Sequence, residues 1–439
     1  MRRSDGNSRA GANGGAVALE VTPEAATDEP LDGRSRFAVN AIMWAIVVSV
    51  LTMKISIFQI EIPMLCAYGL IVFLALHGYV KINAVRASLY FIAVGAVLIS
   101  TSANASNMSA LSVLSLIVFY GVFIFSIDLE QPAYFHLLRK FQTFGLFVAG
   151  LVFFNWACNL IGQPWPNLNK IIPAELQYGN YVYLQPIHYG SRYMKPNAIF
   201  FLETSHTGQF VALATIIEIC LFRRLKFMAP MGLATILTFS GTGLLLIVLC
   251  APFMVRYIPR RYLIPGLLAL PLVFGVAASV GLVDNAIKRS AEFSQSRGSS
   301  GQGRFIEPYK LIGEALAGPY KELFFGIGPG QGKKQAPTSH EAPVLLPPAT
   351  KVMVEYGVFV LVAFMAFTSI SVFVGGVPFV IGWAVLMQYM FLNGSFLVPL
   401  HIVYCYFLAG AYTFSRQVPA ALGPMEDGDR MRAAAGPAE

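Results

Sequence analysis

Residues 141–161 read FQTFGLFVAGLVFFNWACNLI, an apolar run without a charged side chain. A helix that crosses a bilayer needs about 20 such residues, because each residue rises about 1.5 Å across a hydrocarbon core about 30 Å thick. The whole 439-residue chain is similar in character: 56% of its residues are hydrophobic and 12% are charged, against about 25% charged in a soluble domain. Together with a mean hydropathy of +0.62, these values exclude a single aqueous domain and predict an integral membrane protein.

Apolar runs recur along the chain, and we interpret twelve of them as membrane-spanning helices. For 227–255 one long span is the alternative to two short ones, and 344–374 opens with Pro347 and Pro348. The sequence therefore predicts an all-α polytopic membrane protein of about twelve transmembrane helices. Their ranges are 37–53, 60–80, 87–101, 109–127, 141–161, 207–222, 227–240, 242–255, 262–282, 344–374, 376–392 and 396–415.

The net charge is +8, and the placement of the cations predicts the orientation in the membrane. The short loops on one side carry ten cations, whereas the short loops on the other side carry only Lys54. By the positive-inside rule both termini are cytoplasmic, and the long segments 163–206 and 283–343 face outward. Glu218 is expected to form an ion pair with Arg223 or Arg224 at the inner end of its span. The ten cations are Lys81, Arg86, Arg139, Lys140, Arg223, Arg224, Lys226, Arg256, Arg260 and Arg261.

The remaining composition limits the domains and the kinds of ligand. Residues 1–36 are polar and predict a disordered cytoplasmic tail, 37–415 form the transmembrane domain with its two outer loops, and 416–439 form a cytoplasmic C-terminal tail. No metal-binding spacing such as CxxC occurs, and no basic stripe with interleaved aromatics points to nucleic acid. All five cysteines lie in apolar runs, which excludes a disulfide framework in the outer loops: Cys66, Cys158, Cys220, Cys250 and Cys405.

The first outer segment, 163–206, combines aromatic residues with a few charges. Its aromatic density is typical of a membrane interface and equally of a sugar-binding surface. Arg192 precedes an apolar stretch that ends in Glu203, at the mouth of the sixth span. An ionised group there must face water, a partner or a ligand, so the alternatives are a structural Arg192–Glu203 pair and a ligand site. Its tryptophan and tyrosine residues are Trp165, Tyr178, Tyr181, Tyr183, Tyr189 and Tyr193.

The second outer segment, 283–343, is strongly cationic although it lies on the side where the positive-inside rule predicts few cations. An anionic headgroup of a substrate is the simplest reason for them, because the planar guanidinium donates two hydrogen bonds to a phosphate at once. From Pro308 to about Leu316 the apolar spacing predicts a short amphipathic helix on the outer leaflet. The cationic residues include Arg289, Arg297, Arg304, Lys333 and Lys334, and His340 is the single histidine of the segment.

Three short motifs resemble the family of bacterial O-antigen ligases and O-antigen polymerases. GIGPGQG (326–332) is followed by His340 and by VMVEYGVFVLVAF (352–364), which is similar to the family's glycine-rich turn, histidine and E-x-G span start. SRYMKPNAIFFLETSHTGQ (191–209) is similar to its Arg-then-FLEPS region, and FSGTG (239–243) to its S-x-T-G helix break. The resemblance covers residues 190 to 365, and it implies a GT-C-like membrane fold.

The resemblance also implies site residues and a reaction. Arg192 and Arg304 would bind the diphosphate of an undecaprenyl-diphosphate-linked saccharide, His340 would activate the acceptor hydroxyl, and Glu203 would orient Arg192. No metal and no other cofactor is implied. The sequence departs from the family pattern at Thr204 in place of Pro, Gly241 in place of Arg and Glu341 in place of Asn. The last change leaves one question open, which is whether the Glu341 carboxylate raises the pKa of His340. A raised pKa would make the histidine a weaker base near neutral pH.

The function expected from these features is polymerisation of lipid-linked polysaccharide repeat units at the outer, periplasmic face of the bacterial inner membrane. The partners implied are membrane lipid, a flippase, and chain-length or export proteins. An O-antigen ligase that transfers glycan to lipid A-core is the alternative, since both enzymes use the same donor. A flippase for lipid-linked oligosaccharide is an alternative of another class, but it should carry cations inside the bundle and show internal repeats.

Overall fold

The computed structural model describes residues 30–57, 60–178, 183–187, 191–258, 306–332, 345–393 and 399–414, with single positions at 271, 275 and 303. The predicted span 262–282 lies outside these ranges apart from the two single positions. Most of the predicted tail 1–36 and all of the tail 416–439 also lie outside them. Within the described residues the chain is mostly helical, as predicted.

Fourteen α-helices occur in the described residues, and three of them continue into a short π-helical turn. The turns are Glu218–Phe222, Gln388–Leu392 and Tyr406–Gly410. The helices are α1 (Gly33–Leu51), α2 (Ile62–Leu76), α3 (Ala84–Ala103), α4 (Ala110–Gly121), α5 (Gln131–Ile161), α6 (Thr204–Ile217), α7 (Leu225–Leu237), α8 (Gly241–Met254), α9 (Glu307–Ala317), α10 (Tyr320–Phe325), α11 (Pro348–Tyr356), α12 (Val358–Phe373), α13 (Phe379–Met387) and α14 (Pro399–Cys405).

Four of these helices are long and apolar enough to cross a membrane: α1, α3, α5, and α6 with its π turn. Seven shorter apolar helices, of 10 to 17 residues, coincide with further predicted spans. The helix ends follow local chemistry, as at Asp32, whose carboxylate accepts a hydrogen bond of 2.8 Å from Ser35 N–H and begins α1 at Gly33. Four helices of membrane-spanning length and composition are thus present where the sequence predicted spans, and the number of twelve stays a prediction.

Two predicted spans needed the structure to decide their form. The stretch 227–255 is two helices, because α7 ends at Leu237 and Ser240 begins α8 as its N-cap, its hydroxyl accepting from Gly243 N–H. The stretch 344–374, predicted as one span, is divided instead. Gly357 has a φ of 85° and separates α11 from α12, a backbone conformation that glycine adopts without a steric cost.

Helix α6 is the centre of the bundle. Every residue from Thr204 to Ile217 except Ser205 is buried, and the helix packs on α5, α7, α8 and α13. Gly208 lets it approach the break before α8, since a Cβ atom there would lie 2.3 Å from Cβ of Ser240. Its π turn begins at Glu218, whose carboxylate forms an ion pair of 2.8 Å with Arg224, as predicted.

Short β ladders join the ends of helices, a feature that the all-α prediction did not include. β1 (Ser56–Ile57) pairs with β2 (Ile60–Glu61), and β3 (Val80–Ile82) pairs with β4 (Phe125–Ile127), both antiparallel. Each ladder joins segments that the charge pattern assigns to one side of the membrane.

Arg86, counted above as a loop cation, is instead buried in the bundle. Its guanidinium donates to the backbone carbonyls of Gly410 and Tyr412, the latter at 2.8 Å. It therefore binds the carbonyl end of the last helix, where a cation is favoured.

Candidate functional site

The start of α6 is polar and buried beneath the first outer segment. Glu203 is its N-cap residue, with 7% of its surface exposed, and its carboxylate accepts a hydrogen bond from Ser205 Oγ. Further polar side chains in the first turns of the helix are buried: Thr204, His206, Thr207 and Gln209. Burying polar groups among apolar helices costs free energy unless they are hydrogen-bonded or serve a ligand, so this end of α6 is the centre of the candidate site.

The turn that leads into α6 has a strained backbone. Ala198 and Ile199 have φ values of 48° and 63°, and such left-handed conformations cost on the order of 1–3 kcal/mol each in residues other than glycine. Two buried amides hold them there. Asn155 Oδ1 accepts from Ala198 N–H at 2.9 Å, and Asn197 Oδ1 accepts from Ile199 N–H at 3.1 Å. Strain of this kind persists only where the surroundings fix it, and it clusters at functional sites.

Lys54, the lone cation of the outer short loops, reaches the same turn. Its side chain is buried, its Nζ donates to the carbonyl of Ile199 at 2.6 Å, and the ammonium lies 3.7 Å above the centre of the Tyr183 ring. Burial lowers the pKa of Lys54 to about 7. In the described part of the chain no carboxylate forms an ion pair with it. A backbone carbonyl and an aromatic face are therefore what this ammonium contacts.

Two aromatic residues of the first outer segment have neither of the roles that composition suggested. Trp165 and Tyr183 are buried rather than presented to an interface or a sugar. Trp165 Nε1 donates to Asn197 Oδ1 at 3.1 Å, and the single hydroxyl hydrogen of Tyr183 is shared between the carbonyls of Pro166, at 2.8 Å, and Ile199, at 3.2 Å. Burial also raises the pKa of Tyr183 to about 12, so its hydroxyl keeps its proton and remains a donor. Both residues thus brace the strained turn.

Arg192 is exposed and ordered by its neighbour. The guanidinium stacks on the ring of Tyr193, 4.6 Å from its centre, and donates to its hydroxyl. The Tyr193 ring in turn contacts Trp156, which packs on Phe239 beside the break before α8. A stacked, planar fork loses less freedom when it binds a phosphate. No ion pair joins Arg192 to Glu203 among the described contacts, so the orienting role of Glu203 stays a prediction.

The glycine-rich turn 326–332 packs tightly against its neighbours. Gly326, Gly328 and Gly330 all have positive φ, and a Cβ atom on Gly328 would lie 2.2 Å from the carbonyl oxygen of Asn107. The loop after α3 holds the turn. Asn107 Nδ2 donates to the Ile327 carbonyl at 3.2 Å, and Ser109 N–H donates to the Pro329 carbonyl at 2.8 Å. Only glycine fits these positions.

Glu355 fills the interior of this turn. Its fully buried carboxylate accepts from Gly330 N–H at 2.8 Å, from Gly332 N–H at 3.1 Å and from the ammonium of Lys351. Its own carbonyl accepts from Gly328 N–H at 3.1 Å. A carboxylate of the same chain therefore occupies the backbone donors that a phosphate would use in a nucleotide-binding loop.

The described parts of both outer segments connect to the same end of α6. Helix α11, which carries Glu355, packs on the π turn Gln388–Leu392. Gln209 of α6 donates through Nε2 to the carbonyl of Leu392 at 3.0 Å. Its other polar atom, Oε1, is an acceptor and lies 2.8 Å from His401 Nε2, so that ring nitrogen carries the hydrogen. The His401 ring lies 5.0 Å from that of His206. The glycine-rich turn and the strained turn are thus linked through one set of buried contacts.

Of the residues predicted for the site, the structure describes Arg192 and Glu203, and Arg304 and His340 lie outside the described residues. Several residues of the buried contacts had no role in the prediction, among them the three residues Lys54, Asn197 and Glu355. Two of them left a signal in the sequence, Lys54 as the single outer-loop cation and Glu355 as the acid of the E-x-G motif. Asn197 left none.

Comparison of the chain with protein-family models gives no match, and comparison with curated proteins gives none either.

Proposed function

We propose that the chain is a polymerase of lipid-linked polysaccharide repeat units, a metal-independent glycosyltransferase that uses an undecaprenyl-diphosphate-linked donor. In this proposal it has a GT-C-like fold of about twelve spans and lies in the bacterial inner membrane. Its termini are cytoplasmic, and its site faces the periplasm. Its partners are a flippase and the proteins that control chain length or export the glycan.

One observation carries the proposal. The stretches 191–209, 326–332 and 352–364, which resemble the ligase and polymerase family, contain buried hydrogen bonds and connect to the start of α6 through Gln209 and Leu392. Motifs far apart in sequence that are braced around one polar helix start have the form expected of a site built on rigid elements.

The chemistry assigned to the residues follows from their donors and acceptors. Arg192 and Arg304 bind the donor diphosphate and stabilise the negative charge that develops on it as the bond from the anomeric carbon to its oxygen breaks. The acceptor sugar hydroxyl forms the new glycosidic bond and gives its proton to His340. The products are a longer lipid-linked glycan and free undecaprenyl diphosphate.

The test is turnover of a synthetic undecaprenyl-diphosphate oligosaccharide by the purified protein in EDTA. We expect longer lipid-linked glycan from wild type. The rate should fall by about 10²–10³-fold in Arg192→Lys and Arg304→Lys and by about 10²–10⁴-fold in His340→Ala. Lys170→Arg, at an exposed cation of the same outer segment, is the matched control and should leave the rate unchanged. Equal activity of all variants would contradict the assigned roles.

Two other outcomes would replace the proposal. Transfer that occurs only after lipid A-core is added would make the chain a ligase, which uses the same donor. Movement of the lipid across proteoliposomes without any new glycosidic bond would make it a flippase. In the described residues the deeply buried Arg86 donates to carbonyls at one end of the last helix, which does not favour a cationic path through the bundle.

A further inference from the structure

Lys54 lies in the turn after α1, far along the chain from the segment that it contacts. Only 3% of its surface is exposed, and its Nζ donates to the Ile199 carbonyl at 2.6 Å across 145 positions of sequence. Its own carbonyl accepts from Tyr178 N–H at 2.8 Å. Both the side chain and the backbone carbonyl of Lys54 therefore join the turn after α1 to the first outer segment.

The contact falls at the strained turn. Ile199 is β-branched and has a φ of 63°, a conformation that such residues rarely adopt. Its carbonyl accepts from two side chains, the ammonium of Lys54 and the hydroxyl of Tyr183 at 3.2 Å, while Asn197 holds its N–H. Without these donors the carbonyl would be free to rotate and the turn could relax to an ordinary conformation.

The turn stands between the two predicted site residues of this segment. Arg192 precedes it and Glu203 follows it as the N-cap of α6. The chain before the turn is held to α5, where the Asn159 side chain donates to the Met194 carbonyl at 2.8 Å and accepts from Met194 N–H at 3.1 Å. A change of φ at Ala198 and Ile199 would therefore shift Glu203 and the start of α6 relative to Arg192.

We infer that Lys54 is a positioning residue, which holds the Ala198–Ile199 turn in its left-handed conformation and thereby sets the placement of Arg192 relative to α6. It does not touch the substrate. The structural half of this inference stands by itself, and its effect on turnover rests on the proposed function. A misplaced Arg192 would bind the donor diphosphate less tightly. Replacing Lys54 should therefore raise KM for the donor and change kcat little.

The structural half is tested by hydrogen exchange of the full-length protein, read on peptides that cover residues 195–203. The amides of Ala198 and Ile199 are hydrogen-bonded and should exchange at least tenfold faster in Lys54→Met than in wild type. Lys170→Met, at an exposed lysine of the same segment, should leave them unchanged. Tyr183→Phe removes the second donor to the Ile199 carbonyl and should give an intermediate effect, which keeps the test valid if Lys54→Met folds poorly.

The functional half is tested with the synthetic undecaprenyl-diphosphate oligosaccharide and the same variants. We expect KM for the donor to rise about tenfold or more in Lys54→Met with kcat within threefold of wild type, and a smaller rise of KM in Tyr183→Phe. Exchange of Ala198 and Ile199 within twofold of wild type in both variants would overturn the inference. Faster exchange with unchanged KM would also overturn it. An inactive wild type would refute the proposed function, and the exchange result would then decide whether Lys54 holds the turn.

Discussion

Replacing Glu355 with alanine should strongly destabilise the protein, because this α11 side chain holds the glycine-rich turn 326–332 of the second outer segment. The carboxylate is fully buried and accepts from Gly330 N–H, Gly332 N–H and the ammonium of Lys351. Removing one partner of a buried ion pair costs about 3–5 kcal/mol, because the other charge and the freed donors stay buried. Unfolding entropy is about 2.1 cal/mol/K per residue, which over 439 residues converts this cost to a fall in Tm of about 3–6 °C.

The assay is thermal unfolding of the purified protein in detergent, followed by tryptophan fluorescence, together with hydrogen exchange at Gly330 and Gly332. Glu355→Ala should lower Tm by the amount given and expose both amides to exchange, and Glu355→Gln, which keeps one acceptor oxygen, should lie between it and wild type. Glu314→Ala, at an exposed acid of α9, is the control and should shift Tm by less than about 1 °C. A Glu355→Ala protein that unfolds within 1 °C of wild type, with both amides still protected, would refute the reasoning.

Three further predictions concern the stability of the folded protein and use the same unfolding assay. Gly328→Ala should strongly destabilise the protein, because φ at this position is 110° and the new Cβ would lie 2.2 Å from the Asn107 carbonyl oxygen. Gly313→Ala, in an open helical position, should stabilise the protein by about 0.5–1 kcal/mol. Equal effects of the two substitutions would contradict this account. Arg86→Met should cost about 1.5–3 kcal/mol for each lost hydrogen bond to a carbonyl and speed proteolysis near the C-terminal helix, which an unchanged digest would disprove. Burial lowers the pKa of Lys54 in the folded protein to about 7 from an ordinary 10.5, so the unfolded chain binds more protons between these two pH values. The free energy of unfolding should therefore rise from pH 7 to 10.5 by up to about 1.4 kcal/mol per pH unit. Lys54→Met should lose this rise, and a pH profile identical to that of wild type would contradict the burial of Lys54.

The helices were predictable because apolar runs of this length have few alternatives. The break before α8 was also readable in FSGTG, since Ser240 is a good N-cap and glycine follows it. The division at Gly357 was not predicted, although the E-x-G motif contains the glycine. Glycine is required there by its φ of 85° and by the Phe324 carbonyl oxygen, which would lie 2.3 Å from a Cβ atom. That close approach is a fact of tertiary packing.

The buried polar contacts could not be read from the sequence, because they join distant segments. Lys54 and Ile199 are 145 positions apart, and Arg86 and Gly410 are 324 positions apart. In both cases the sequence offers a cation in a short loop, which is equally typical of a topological signal. Only the fold shows that these cations donate to backbone carbonyls instead.

The aromatic residues of the first outer segment show the limit of composition. Trp165 and Tyr183 fit a membrane interface and a sugar-binding surface equally well by type. Their polar atoms, the indole N–H and the phenol hydroxyl, donate within the protein to Asn197, Pro166 and Ile199. The glycine-rich turn was recognised as a turn, but its internal anion, Glu355, was not, since 23 and 25 positions separate it from the glycines that it binds.

The most direct test of the central claim is incubation of the purified wild-type protein with synthetic undecaprenyl-diphosphate oligosaccharide alone, in EDTA, with the products separated by size. The account predicts lipid-linked glycans longer by whole repeat units, with undecaprenyl diphosphate released in equal amount. Donor that stays unchanged under these conditions, while it is transferred to lipid A-core or carried across a bilayer when either is supplied, would contradict the polymerase.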